Sequence, residues 1–161
     1  MTTQINLISK EDMEIVRNLA HEIWPVAYKN ILKPHEIQNM LEKIYSVNNL
    51  QQEMESGHVF WVVKERGMNI GFASAYIEDL NLWLKKLYIL PEMQGKGYGK
   101  FFISEIVKHF NNAKTILLYV NSSNTPAQKF YEKLGFKITG STPVKMGDYD
   151  FLDFIVKKSL I

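Results

Sequence analysis

The chain has no cysteine among its 161 residues, which removes disulfides, thiolate metal sites and a cysteine nucleophile at once. Its four histidines, His21, His35, His58 and His109, show no i,i+4 pair or other ligand spacing, so no metal is expected. Excess charge is scarce as well. Nineteen basic against seventeen acidic residues leave a net charge of +2, without a lysine-arginine block, so no nucleic-acid partner is expected. No apolar run approaches membrane length, and the start MTTQINLISKEDM carries no apolar signal region. No membrane association is therefore expected, and a cytoplasmic location is. Glycine and proline are few and scattered, which argues against linkers, repeats and low-complexity tracts. Residues 1–161 are read as a single domain, long enough to bury a core.

The first half alternates a short strand, QINLI, with helical segments. Ser9 is an expected N-cap, and Met13, Val16, Ala20 and Ile23 repeat at helical spacing until Pro25 ends or bends the helix. PHEIQNMLEKIY places Pro34 near a helix start and Ile37, Met40, Leu41 and Ile44 on one face, and a further helical piece runs to Gly57. Strands then take over: HVFWVVKE and NIGFASAYI flank the hairpin turn RGM, and LWLKKLYIL follows. In KFFISEIVKHF, Phe102, Ile103, Ile106, Val107 and Phe110 form a buried helix stripe, and TILLYV is apolar enough for a central strand. TPAQKFYEKLGF has Thr125 as its cap, Pro126 in the first turn, Gln128 as capping-box partner and Gly135 as its stop. FKITG and FLDFIVKK close the chain. This order specifies a mixed α/β sheet.

The most informative stretch is LYILPEMQGKGYGKFF, where Gly95, Gly97 and Gly99 alternate between a strand and a helix. The spacing is G-x-G-x-G, which fits neither Walker A nor the dinucleotide fingerprint. It leaves the first amides of a helix uncovered by side chains, an arrangement that binds pyrophosphate, and Lys96 and Lys100 add positive charge.

Gln94 to Lys100 resembles the Q/R-x-x-G-x-G/A loop of the GCN5-related N-acetyltransferases, the GNAT superfamily. NSSNTPAQKFYEKLGF is similar to that family's asparagine followed by A-x-x-F-Y-x-x-L-G-F. The resemblance implies the GNAT fold: a mixed, splayed β-sheet of about six to seven strands flanked by helices, in a single N-acetyltransferase domain. It implies acetyl-coenzyme A as cosubstrate, with Leu87, Tyr88 and Ile89 along the pantetheine arm. Gln94, Gly95, Lys96, Gly97, Tyr98, Gly99 and Lys100 would hold the pyrophosphate, and Asn124 would contact the pantetheine region. Tyr131 takes the place of the family's general acid.

With no cysteine to carry an acyl group, direct transfer to the acceptor amine is expected, with the amide of Ile89 stabilising the oxyanion and Tyr131 facing the leaving sulfur. An ordinary tyrosine pKa of about 10 against about 8.5 for a thiol makes complete proton transfer uphill by ~2 kcal/mol. A hydrogen bond to the thiolate avoids that cost. Glu22, Glu78, Asp79 and Glu92 are candidate bases by location alone.

The segment HEIWPVAYKNILKPHEIQNMLEKIYS combines Trp24, Tyr28 and Tyr45 with Glu22, Glu36 and Glu42, a mixture suited to a cationic amine. It resembles a bacterial GNAT subgroup that includes polyamine acetyltransferases, which implies a small-molecule amine as partner. The bulky pair Trp83–Leu84 and the tail KMGDYDFLDF depart from that subgroup, both where acceptor choice is decided. A protein or peptide acceptor, an aminoglycoside, and a non-catalytic acetyl-coenzyme A sensor stay open as alternatives, and a homodimer is compatible with the fold.

Overall fold

The computed structural model describes residues 2–146 and 149–161. Strand β1 (Thr3–Leu7) leads through a short 3-10 turn into α1 (Met13–Ala27), followed by α2 (Pro34–Ile44) and α3 (Val47–Glu55). Next come β2 (Val59–Glu65), β3 (Met68–Glu78), β4 (Asn81–Ile89), α4 (Tyr98–His109), β5 (Thr115–Asn121), α5 (Thr125–Lys133), β6 (Lys137–Met146) and β7 (Tyr149–Ser159). All seven strands form one mixed sheet, as expected, and their order in it is β1-β2-β3-β4-β5-β7-β6. Among the described residues no helix is long and apolar enough to cross a membrane.

The start of α1 is displaced from its expected place. Ser9 caps the 3-10 turn rather than α1, its backbone amide and hydroxyl both donating to the Asp12 carboxylate. Pro25 sits inside α1, two residues before its end, where it neither breaks nor terminates the helix. Near the C-terminus of the chain, β6 runs beyond FKITG through Pro143 to Met146. A proline is tolerated there because β6 is a sheet edge, where a missing amide costs no ladder bond.

Adjacent strand residues point to opposite faces, and both faces are covered. Phe60 turns toward α2 and α3, where Tyr45 is wholly buried, whereas Trp61 packs edge-on against His109 and Phe110 at the end of α4. The first three helices therefore cover one face and α4 the other. α5 lies beside α4, with the Phe130 ring against Gly99.

The parallel pair in the centre decides where a ligand can go. β4 and β5 pair only over Asn81–Trp83 and Thr115–Leu117, after which they diverge. β4 continues to Ile89 bonded on one side only, to β3. The sheet is thus splayed, as the resemblance to the GNAT family implies.

Candidate functional site

The free edge of β4 can be assigned residue by residue. Leu90 donates to the carbonyl of Ile70, and Tyr88 pairs with Phe72. In an antiparallel ladder successive residues bond to alternate edges. The amides and carbonyls of Leu87 and Ile89 therefore face the gap left by β5. The side chain of Gln94 is attached to this edge, its Nε2 donating to the Ile89 carbonyl at 3.1 Å. The backbone of Tyr88 points the other way, to β3, and its side chain is what reaches the site.

Gly95 (φ +77°) and Gly97 (φ +87°) occupy left-handed backbone conformations that a side chain would strain. Gly97 caps α4, and the first bond after the loop is donated by Phe101 to the Gly97 carbonyl. Among the described residues no backbone carbonyl accepts from the amides between Gly95 and Lys100. Lys96 and Lys100 flank them, both exposed. Gly99 has a different reason to be glycine: a Cβ there would lie 2.8 Å from Cζ of Phe130. Tyr98 anchors the loop from the side, its hydroxyl donating to Glu65 at 2.8 Å. That bond, with those from Thr2 and Thr3, holds the Glu65 carboxyl down at about 2.

α5 differs from its sequence reading in two respects. Its N-cap is Asn124, not Thr125: the Asn124 Oδ1 accepts from the Ala127 amide at 3.2 Å, which leaves its Nδ2 as the free end. Gln128 makes no capping box and instead donates to the carbonyls of Asn121 and Ser122. Ala127, Phe130 and Leu134 are half-buried, and Tyr131 is the buried residue of the helix, 7% exposed between the rings of Phe130 and Phe136. Burial pushes the Tyr131 hydroxyl well above the tyrosine range, with Tyr28 adding to the effect. It keeps its proton at neutral pH.

A cavity of about 470 Å³ occupies the splay, lined by Trp83, Lys85 and Tyr88 of β4 and by Tyr119 and Asn121 of β5. Trp24 of α1 and Tyr28, which caps its C-terminus, form its roof, the Tyr28 and Tyr88 hydroxyls being 2.9 Å apart. The bulky Trp83 is accommodated by stacking on Tyr119, with ring centroids 5.1 Å apart. The candidate bases Glu22, Glu78, Asp79 and Glu92 are all exposed, and none lines the cavity. Glu36 is spent on capping α2, accepting from the Lys33 amide at 2.8 Å. Tyr45 lies behind the cavity, edge-on to Trp24.

Two features escape the sequence reading. Asp153 of β7 lines the cavity, half-buried, and desolvation raises its carboxyl pKa. The strand period offers a signal for it, since Asp153 is in phase with Tyr149 and Phe151 on one strand face. The second is Lys86, 3% exposed, whose ammonium lies 2.6 Å from Glu53 Oε1 and within cation–π reach of Tyr45 and Phe60. A bulge between Ser74 and Ala75 leaves Lys85 without a partner opposite it, and Lys85 is exposed where its neighbour Lys86 is buried.

Comparison with known proteins places these features in context. Residues 56–138 match the family described as Acetyltransferase (GNAT) domain. The spermidine N(1)-acetyltransferase of Thermoplasma acidophilum is 30% identical over 98% of each chain. The spermine/spermidine N(1)-acetyltransferase of Bacillus subtilis is 29% identical, over 68% of this chain and 81% of its own. Among solved structures, the PaiA N-acetyltransferase of Thermoplasma acidophilum in complex with coenzyme A superposes with a TM-score of 0.85, at 28% identity and 99% coverage of both chains.

Proposed function

The chain belongs to the GNAT family of acetyltransferases, which move an acetyl group from acetyl-coenzyme A to an amine, and we propose that its acceptor is a small primary amine of the polyamine class. The observation that carries the reading is the divergence of β4 from β5 after three paired residues, with an aromatic cavity between them. The likeness to two spermidine or spermine acetyltransferases supports the choice of acceptor.

The residues present fit the cosubstrate. An unpaired strand edge at Leu87 and Ile89 suits the amides of a pantetheine arm, which adds to a sheet as a strand would. Unpaired amides from Gly95 to Lys100, with two lysines beside them, suit a pyrophosphate. When bound, the cosubstrate supplies an activated thioester acetyl group. The Ile89 amide, fixed by the strand, is our choice to stabilise negative charge on the acyl oxygen. Tyr131 holds its proton at the hydroxyl and donates to the departing sulfur. Asn124, with Oδ1 committed to its helix, has its Nδ2 left to orient the arm.

We treat residues 1–161 as one such domain and assign it to the cytoplasm, where its cosubstrate is at hand. A net charge of +2 supports a partner that is not nucleic acid. A homodimer would pair through the sheet edges β1 or β6. Incubation with acetyl-coenzyme A and spermidine, followed by mass spectrometry of the amine, tests the proposal: mono-acetylated spermidine supports it. An unchanged amine, alongside acetylation of a peptide panel, points to a peptide acceptor instead.

A further inference from the structure

The acceptor cavity contains one carboxylate among the described residues, Asp153, and its other walls are chiefly aromatic. Trp24, Tyr28, Tyr76, Trp83, Tyr119 and Phe151 surround a space suited to an aliphatic chain bearing positive charge. Asp153 is held on β7, between two strands, in register with Asn121 of β5 on one side and Thr142 of β6 on the other. No ion pair or hydrogen bond to its carboxylate occurs among the described residues. A half-desolvated carboxylate without a counter-charge is costly, and the cost is recovered when a cation binds. The titratable groups facing it are Tyr28 at the end of α1, Tyr76 of β3, Lys85 and Tyr88 of β4, and Tyr119 of β5. Lys85 is the one basic side chain among them; it is exposed and unpaired with Asp153.

The cavity also lies to one side of the proposed reaction centre. Neither Tyr131 nor Ile89 lines it. That leaves the cavity for a part of the acceptor other than the nitrogen that is acetylated, in the reading proposed above. We propose that Asp153 is the specificity-determining anion that holds the non-reacting ammonium of a short diamine or polyamine, its methylene chain lying along the aromatic walls. This rests on the amine-acetylation reading above and deepens it by naming the residue that selects a second positive charge. Lys85 acts in the opposite sense, setting a like charge at the mouth.

The test compares 1,4-diaminobutane and spermidine with 1-butylamine, which lacks the second nitrogen. In thiol-release kinetics Asp153→Asn raises KM for the two polyamines by at least about 30-fold, the loss expected when one partner of a desolvated charge pair is removed, and raises the butylamine KM far less. Asp153→Glu restores part of the affinity, and Lys85→Gln lowers the polyamine KM. The fold is checked independently. Because the folded state raises the Asp153 pKa, it binds more protons than the unfolded chain between the two values, so stability falls as pH rises through that window and the full cost of the ionised carboxylate is present above it. Asp153→Asn therefore melts higher than the parent at pH 7, and the gain disappears below the range of a free aspartate. An unchanged polyamine KM in Asp153→Asn, or an equal rise for butylamine, overturns the proposal. Calorimetric titration of spermidine onto the coenzyme A complex separates the two readings. Binding lost in Asp153→Asn supports the anchor even where no acetylation occurs; absent binding in the parent, or equal binding in both, sinks the anchor while amine acetylation stands or falls on the mass spectrum.

Discussion

The hydroxyls of Tyr28 and Tyr88 lie 2.9 Å apart and join the C-terminal end of α1, over the aromatic cavity, to the strand beneath it, β4. Burial raises both pKa values, so the pair is neutral and each hydroxyl depends on the other for a partner. Removing one hydroxyl leaves its half-buried mate without that partner at the cavity wall. Tyr28→Phe and Tyr88→Phe are each expected to cost about 1–3 kcal/mol in urea denaturation, and the double variant less than the two losses combined. Additive losses would show that the contact is not a coupled one.

The close approach of α4 to α5 depends on Gly99. A methyl group there meets the Phe130 ring at 2.8 Å, so Gly99→Ala is expected to cost about 1–3 kcal/mol and to weaken coenzyme A binding as α4 is pushed away. Adding Phe130→Leu recovers most of the stability. Gly95→Ala meets no neighbour within 4 Å and acts only through its φ of +77°, for about 1–2 kcal/mol. Thermal shift with coenzyme A, alongside urea melts of all three, distinguishes crowding from backbone strain.

Glu53 and Lys86 tie α3 to β4 behind the cavity. Desolvation lowers the Lys86 pKa, opposed by Glu53, so the carboxylate is what keeps a buried ammonium tolerable. Glu53→Gln is expected to cost about 3–5 kcal/mol, because it strands the charge. Glu53→Leu combined with Lys86→Met removes both charges and recovers most of that loss, as chemical denaturation will report.

His58 stacks on Tyr76 with ring centroids 4.6 Å apart, and its Nδ1 is buried without a hydrogen bond. Burial lowers its pKa below the ordinary 6.5. Between the folded and unfolded values the unfolded chain binds more protons, so stability falls as pH drops through 6.5 toward the folded value. His58→Phe retains the stack without the titration. Its melting temperature should lose less than that of the parent between pH 7 and pH 5.

What could be read from the sequence follows the range of the interactions involved. The glycine loop, the α5 stop at Gly135 and the hairpin at Arg66–Gly67 are set by local backbone chemistry, and each is where the sequence places it. The α5 cap is off by one because Asn124 and Thr125 are both good caps, and only the approach from β5 selects between them. β6 reads as too short because Pro143 looks like a breaker until its strand is known to be an edge. The acceptor cavity is the least legible part. Its walls come from α1, β4, β5 and β7, and Tyr28 and Tyr88 are 60 residues apart, so only sheet closure brings them together. Asp153 carries a local signal, an acid in phase with Tyr149 and Phe151, but nothing local says that this strand face lines a cavity rather than solvent.

The most direct test of the account is thiol release from acetyl-coenzyme A across a panel of polyamines, amino acids, aminoglycosides and short peptides, in the parent and in Tyr131→Phe. The absence of cysteine keeps the background of a thiol-reactive dye low. The account predicts release that depends on added amine, fastest with polyamines, and slowed about 100-fold in Tyr131→Phe without being abolished. No release with any amine, together with no rise in melting temperature on adding acetyl-coenzyme A, would contradict it.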